Sequence, residues 1–211
     1  TRDEINEKFA RLEKEFEELK DIEKPEELEP FEISFYYMKG RYLIREGVYA
    51  EGLEDIKYVI SKAKEIDSKD YVLDGYKQMI YYNIQTNRTL HMLEYIEAAL
   101  DLAVVCNYYK EIGILLRLKG LYNIMIGESE VAEKLLNDSI NSFTVTKEVA
   151  NRYAINIAAA LNYIGEIRWQ ESNYEAAIDQ YKKAIDLSEG KNALASLSVF
   201  HINKGKAHFA N

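Results

Sequence analysis

Small and apolar residues recur along this chain with a period of about 40 residues, and the pattern predicts pairs of helices. Each period carries a marker residue within a helical run of aromatic and branched side chains. An apolar or small residue follows twelve positions later, and two more follow after four and then three positions. Spacings of four and three place these residues on one face of a second helix. The markers are Gly40, Ile80, Gly120, Gly165 and Gly205.

The marker residues explain how the two helices of a pair approach each other. A small residue on the first helix lets the second helix pack closely against it. Gly47 and Gly127 follow two of the markers by seven residues, where the first helix should end. A glycine there can adopt the left-handed conformation that caps a helix. The second pair has Ile80 and Met92 in place of small residues, so we expect its helices to pack less closely.

The same period extends backwards into the N-terminal segment. It predicts apolar residues at four positions, which are occupied by Phe9, Leu12, Phe16 and Leu19. We therefore predict a helix over residues 1–24, either a cap or the second helix of a preceding repeat. With Ile5 these residues also form a short heptad stripe, so a coiled coil is an alternative.

Two prolines and the last marker set the predicted boundaries of the repeats. Pro25 and Pro30 predict a linker over residues 25–30. Residues 31–211 then form four hairpins and the first helix of a fifth. Because the sequence ends at Asn211, before a second helix, we expect the natural protein to continue with more repeats. The uncovered terminal helices are candidates for self-association.

This pattern resembles the tetratricopeptide repeat. The fourth unit carries the resemblance best, and the first and third match in part. The units run about 40 residues instead of the usual 34, and they lack the closing proline of the family. The resemblance implies an all-α fold, a right-handed superhelical solenoid of antiparallel helical hairpins. The matching residues of the fourth unit are Leu161, Ile164, Gly165, Tyr174, Ala177, Tyr181 and Ala184.

Composition narrows the classes of function. The formal net charge of the 211 residues is −9, so the chain lacks the basic footprint of a nucleic-acid-binding surface. Residues 1–30 hold 12 acidic and 6 basic side chains, which suits either a solvated helix face or an acidic docking arm. A single cysteine, Cys106, excludes an internal disulfide and a Cys-cluster zinc site. We find no signal peptide and no stretch long enough to cross a membrane, and we interpret the protein as cytoplasmic.

Motifs for catalysis are not found in the sequence. The glycines are distributed along the chain at repeat positions instead of being clustered in a phosphate-binding loop. The three histidines show neither the His-Glu-x-x-His spacing nor the di-iron spacing. No acidic pair stands out as catalytic. We therefore expect no enzyme activity, no metal and no cofactor.

The resemblance implies a binding groove, because the first helix of each repeat lines the concave face in that family. Four of the implied positions are basic and one is acidic, which suits a peptide with acidic groups or a free carboxylate. Alternatively, these are ordinary solvated helix residues. The two-carboxylate clamp of chaperone-binding members is not present. The groove positions are Tyr37, Arg41, Arg45, Lys77, Tyr81, Gln85, Arg117, Leu121, Met125, Asn162, Glu166 and Trp169.

Two segments resemble the C-terminal repeat regions of bacterial transcription activators of the antibiotic-regulatory (SARP) and maltose-activator types. They are residues 110–120 and 156–166. The resemblance implies a regulatory domain that senses a peptide, a small ligand or a protein and does not itself bind nucleic acid. The alternative is a general protein–protein adaptor. Asn83 and Asn123 occupy equivalent places in two repeats and are expected either to grip a peptide backbone or to bond between helices.

Overall fold

The computed structural model describes residues 2–20 and 25–211, with the side chains of residues 2–19 and 27–211. Within these ranges the chain forms eleven α-helices and no strand, so the predicted all-α class is confirmed. The helices are α1 (Arg2–Lys20), α2 (Pro25–Arg45), α3 (Tyr49–Glu65), α4 (Lys69–Gln85), α5 (Met92–Val105), α6 (Tyr109–Met125), α7 (Ser129–Phe143), α8 (Lys147–Arg152), α9 (Ala154–Gln170), α10 (Tyr174–Ser188) and α11 (Leu194–Ala210). None of the described helices is long and apolar enough to cross a membrane.

The predicted linker at residues 25–30 is wrong, because these residues form the start of α2. Pro25 is the first residue of that helix, where the missing N–H has no partner within the helix to lose. Pro30 lies further in and removes only one backbone hydrogen bond near the helix start. The predicted N-terminal helix is present as α1 over Arg2–Lys20, and residues 21–24 lie outside the described part of the chain.

The chain divides into two compact units, residues 1–87 and residues 88–211. The division falls inside the second predicted hairpin, the one in which Ile80 and Met92 replace small residues. The two helices of that hairpin belong to different units, so the looser packing expected between them stays a prediction.

In the first unit, α2 and α3 form a hairpin whose contact is made by two glycines. A Cβ atom on Gly40 would lie 3.0 Å from the backbone oxygen of Gly52 and 3.0 Å from Ile56 Cδ1. Ile56 and Val59 are fully buried beside this contact. The small marker residue therefore brings the two helices together as predicted.

The helix α1 packs on α2 through aromatic rings. The ring centroid of Phe9 lies 6.0 Å from that of Phe35 and 5.5 Å from that of Tyr42. Phe16 is buried, whereas Leu12 and Leu19 are 48% and 42% exposed. Only part of the predicted apolar face of α1 is therefore covered in the described part of the chain.

In the second unit, α6 pairs with α7, and α9 pairs with α10. A Cβ atom on Gly165 would lie 2.6 Å from the ring of Tyr181, so this close contact also depends on glycine. The short helix α8 precedes α9 and accounts for the 45-residue gap between two markers. Thr146 caps α8, its Oγ1 accepting a hydrogen bond from the backbone N–H of Val149 at 3.2 Å.

Most helices of the repeats end at a residue with a left-handed backbone. At the end of α2, the N–H of Gly47 donates to the carbonyl of Ile44, and the N–H of Val48 donates to that of Leu43. This pair of bonds is the Schellman motif, which satisfies the last carbonyls of a helix. The predicted caps Gly47 and Gly127 are confirmed, and non-glycine residues take the same role elsewhere. Left-handed residues at successive 20-residue intervals are Gly47, Asp67, Asn87, Asn107 and Gly127.

Candidate functional site

The first unit contains a cavity of about 370 Å³ between α2 and α4. Both polar and apolar side chains line it, and the predicted groove residues Arg41, Arg45, Tyr81 and Gln85 are among them. The remaining lining residues are Met38, Tyr42, Ile44 and Gln78. Helix periodicity places the α2 residues together, because positions 38, 41, 42 and 45 share one face.

Two arginines carry the positive charge of this cavity. The guanidinium of Arg41 lies 5.2 Å from the ring centroid of Tyr37, and that of Arg45 lies 5.5 Å from the ring centroid of Tyr42. Arg41 forms no salt bridge within the described residues, and Arg45 has Glu46 at 3.5 Å. Like charges four residues apart on a helix repel each other. An anion between the two guanidinium groups would relieve that repulsion.

Tyr37 and Lys77, also predicted for the groove, flank this cavity without being among its lining residues. Burial raises the pKa of the Tyr37 hydroxyl, and the carboxylate of Asp74 adds to the rise, while Arg41 and Lys77 offset part of it. The Lys77 ammonium lies 2.7 Å from a carboxylate oxygen of Asp74. Lys77 is therefore engaged within its own helix, while Tyr37 supports the guanidinium of Arg41.

Three of the predicted groove residues of the second unit lie on α9 and two of them line a second, smaller pocket. This pocket has a volume of about 90 Å³ and is lined by Glu166, Trp169, Tyr181, Asn203 and Lys206. The third α9 residue, Asn162, is buried, and its side-chain oxygen accepts a hydrogen bond from the amide of Asn203 at 3.0 Å.

The groove residues predicted on α6 are Arg117, Leu121 and Met125, and they line neither cavity. All three are half-buried. Arg117 Nε is buried and has no hydrogen-bond partner in the described part of the chain. The twelve predicted residues are therefore divided between two units, and some of them line a cavity in each. A single groove across the units stays a prediction.

The asparagines expected at equivalent repeat positions are buried and do not bridge helices. The Asn83 amide donates to the carbonyl of Met79 at 2.7 Å, and the Asn123 amide donates to that of Lys119 at 2.8 Å. Each bond runs back four residues along the same helix, so the interhelical alternative is wrong.

Several lining residues were not predicted, because they depend on which helices meet. Tyr181 comes from α10, and Asn203 and Lys206 come from α11. The only sequence signal for the α11 pair is their spacing of three, which places them on one helix face. Among the described residues, no group of three or more histidine, cysteine or acidic side chains is placed to hold a metal ion.

Comparison with known proteins establishes the fold and not the family. No family model matches the chain, and no curated protein matches it. Among solved structures, the crystal structure of BtubC (BKLC) from P. vanneervenii is similar, with a TM-score of 0.75 and 15% sequence identity. The match covers 97% of this chain and 83% of that one. Together with the all-helical structure, this likeness supports a helical-repeat fold for the chain.

Proposed function

We propose that this protein is a non-catalytic interaction module of the tetratricopeptide type that binds acidic groups of a peptide or small ligand in the cavity of its first unit. The observation that carries the proposal is the pair of stacked arginines, Arg41 and Arg45, in a cavity of about 370 Å³. The resemblance of two segments to bacterial activators supports a role as the sensor part of a cytoplasmic transcription regulator.

The chemistry of the cavity suits a carboxylate. A guanidinium can donate two parallel hydrogen bonds to one carboxylate, and stacking on a tyrosine ring holds its plane in a fixed direction. Tyr81 and Gln85 add further polar groups, while Met38 and Ile44 offer apolar contact. A ligand with an acidic head and an apolar neighbour would therefore find complementary surfaces.

The proposal can be tested with short peptides of defined charge. We expect acetylated triglutamate to bind, measured by isothermal titration calorimetry, and acetylated triglutamine to bind far more weakly. Arg41→Gln should weaken binding by at least about tenfold, since a hydrogen bond to a charged group contributes about 1.5–3 kcal/mol. Lys57→Gln is the matched control, because Lys57 is an exposed cation on α3 outside the cavity. Equal losses in both variants would contradict the proposal.

A general protein–protein adaptor is the second candidate. It is favoured by the exposed apolar residues of α11, where Ile202 and Phe209 are 57% and 96% exposed. An adaptor would bind a folded partner or another copy of the chain, and short acidic peptides would not stabilise it. Peptide titration therefore separates the two candidates.

A further inference from the structure

We propose that the pocket between α9, α10 and α11 binds the cationic side chain of an arginine or lysine from a partner peptide. Its lining residues are Glu166, Trp169, Tyr181, Asn203 and Lys206. All five belong to the second unit, so this site is independent of the cavity that Arg41 and Arg45 line in the first unit.

The pocket is built around one close contact between helices. Gly165 allows the ring of Tyr181 to lie against α9, at a place where a Cβ atom would come within 2.6 Å of it. Tyr181 is 3% exposed and closes one side of the pocket. Glu166 and Trp169 are three residues apart on α9, so both lie on the face that meets this ring.

Glu166 supplies a negative charge that is only partly compensated. Its carboxylate forms no hydrogen bond or salt bridge within the described part of the chain, although the side chain is half-buried. Burial raises the pKa of the Glu166 carboxyl, and the ammonium of Lys206 on α11 offsets part of that rise. A half-buried carboxylate that accepts no hydrogen bond and has only this partial compensation is unfavourable, and a bound cation would stabilise it further.

The other lining groups favour the same kind of ligand. Trp169 is 41% exposed, and its indole face can attract a cation. The Asn203 amide nitrogen donates to Asn162 at 3.0 Å, which fixes the side chain and leaves its own carbonyl oxygen to accept from a ligand. A volume of about 90 Å³ suits an ammonium or guanidinium group of a few atoms and not a whole residue.

In the absence of a ligand, the positive charge of Lys206 partly offsets the negative charge of Glu166. Lys206 is exposed and lines the pocket, and its charge acts on Glu166 although no salt bridge joins the two within the described residues. An incoming cation would occupy the space beside the Glu166 carboxylate and would be repelled by the Lys206 ammonium. Removing the Lys206 charge should therefore strengthen ligand binding.

Trp169 is the only tryptophan of the chain, so its fluorescence reports on this pocket directly. We would titrate the protein with N-acetyl-arginine amide, N-acetyl-lysine amide and the uncharged N-acetyl-citrulline amide. The expected result is a saturable change of emission with one or both cations and none with citrulline. Chemical-shift changes of the Trp169 indole N–H, followed by NMR, would place the ligand at the pocket.

Two variants make the test specific. Glu166→Gln should weaken binding of the cation by at least about tenfold, because it removes a charged partner at nearly constant shape. Lys206→Met should strengthen binding, and it leaves the buried contacts of α9 and α10 untouched. Absence of binding, equal binding of citrulline, or an unchanged affinity in Glu166→Gln would each overturn the proposal. None of these results depends on Arg41 or Arg45, so the proposed function is tested separately.

Discussion

Replacement of Asp55 by asparagine should stabilise the first unit at neutral and alkaline pH. Asp55 lies on α3 and is 8% exposed, and its Oδ2 has no hydrogen-bond partner among the residues that the structure describes. Burial raises the pKa of its carboxyl from 3.8 to about 6; Lys39 opposes this rise, whereas Glu51, Glu13 and Glu54 add to it. The Lys39 ammonium is shared, since it also lies 3.2 Å from carboxylate oxygens of both Glu13 and Glu51.

The magnitude follows from the shift of about two pKa units. Each unit corresponds to about 1.36 kcal/mol, so the ionised side chain destabilises the folded state by about 3 kcal/mol relative to the protonated one. Because the pKa of Asp55 is higher in the folded state, its stabilising contribution is complete below pH 3.8 and is lost as the pH rises through about 6. Asparagine resembles the protonated form at every pH.

We therefore expect Asp55→Asn to raise the free energy of unfolding by about 2–3 kcal/mol at pH 8 and by about half as much at pH 5. Urea denaturation followed by circular dichroism gives the global value. Hydrogen–deuterium exchange of peptides from α3 shows whether the change in stability lies in the first unit. Asp138→Asn, an exposed aspartate on α7, removes the same charge and should change neither measurement by more than about 0.5 kcal/mol. A destabilised Asp55→Asn variant at pH 8, or an equal gain at both pH values, would refute the reasoning.

Two further substitutions test the close contacts between paired helices, and a third tests self-association through α11. Gly205→Ala should stabilise the chain by about 1 kcal/mol in urea denaturation, because a Cβ atom there meets none of the described residues within 4 Å and alanine favours the helix. The equivalent Gly165→Ala should instead destabilise it by about 1–2 kcal/mol in the same assay, since the new methyl group would collide with the buried ring of Tyr181. Phe209→Asp should abolish any concentration-dependent association seen by analytical ultracentrifugation, because Phe209 is 96% exposed on α11; an unchanged association would place the contact elsewhere.

The repeat could be predicted from sequence because its markers are steric requirements. Ile80, Gly120, Gly165 and Gly205 are each the twelfth residue of a 17-residue helix. Three of the marker positions accept little beyond a hydrogen atom, because the paired helix lies against them at Gly40, Gly120 and Gly165. A requirement of that kind leaves the same residue type at the same interval.

Features without a fixed residue type were harder to predict. The helix ends at positions 67, 87 and 107 follow the 20-residue spacing of Gly47 and Gly127, but they use aspartate and asparagine. These residues tolerate the left-handed conformation, so their identity alone does not mark a cap. The start of α2 was missed for a related reason, since proline interrupts a helix only where its N–H is needed.

The residues that line the two candidate sites were only partly predictable, because a side chain's neighbours are set by packing between helices. Arg41 and Arg45 could be placed on one face by counting along α2. The pairing of Lys77 with Asp74, which removes it from the set of free cations, is one of several available to a lysine on an acidic chain. The contribution of Tyr181 to the smaller pocket could not be inferred from α9, since Tyr181 lies on a different helix.

The cavity lined by Arg41 and Arg45 also illustrates why the net charge of a chain is a weak guide to the charge of a candidate site. Residues 1–87 hold 21 acidic and 14 basic side chains, so the unit that carries Arg41 and Arg45 is itself strongly acidic. At physiological ionic strength, interactions between exposed charges are screened beyond about 8 Å. A carboxylate inside the cavity would therefore feel the two guanidinium groups strongly and the exposed acidic residues of more distant helices weakly. If the proposed ligand binds, we expect the acidic remainder of the unit to act mainly on its approach, whereas the two arginines would determine which ligand is held.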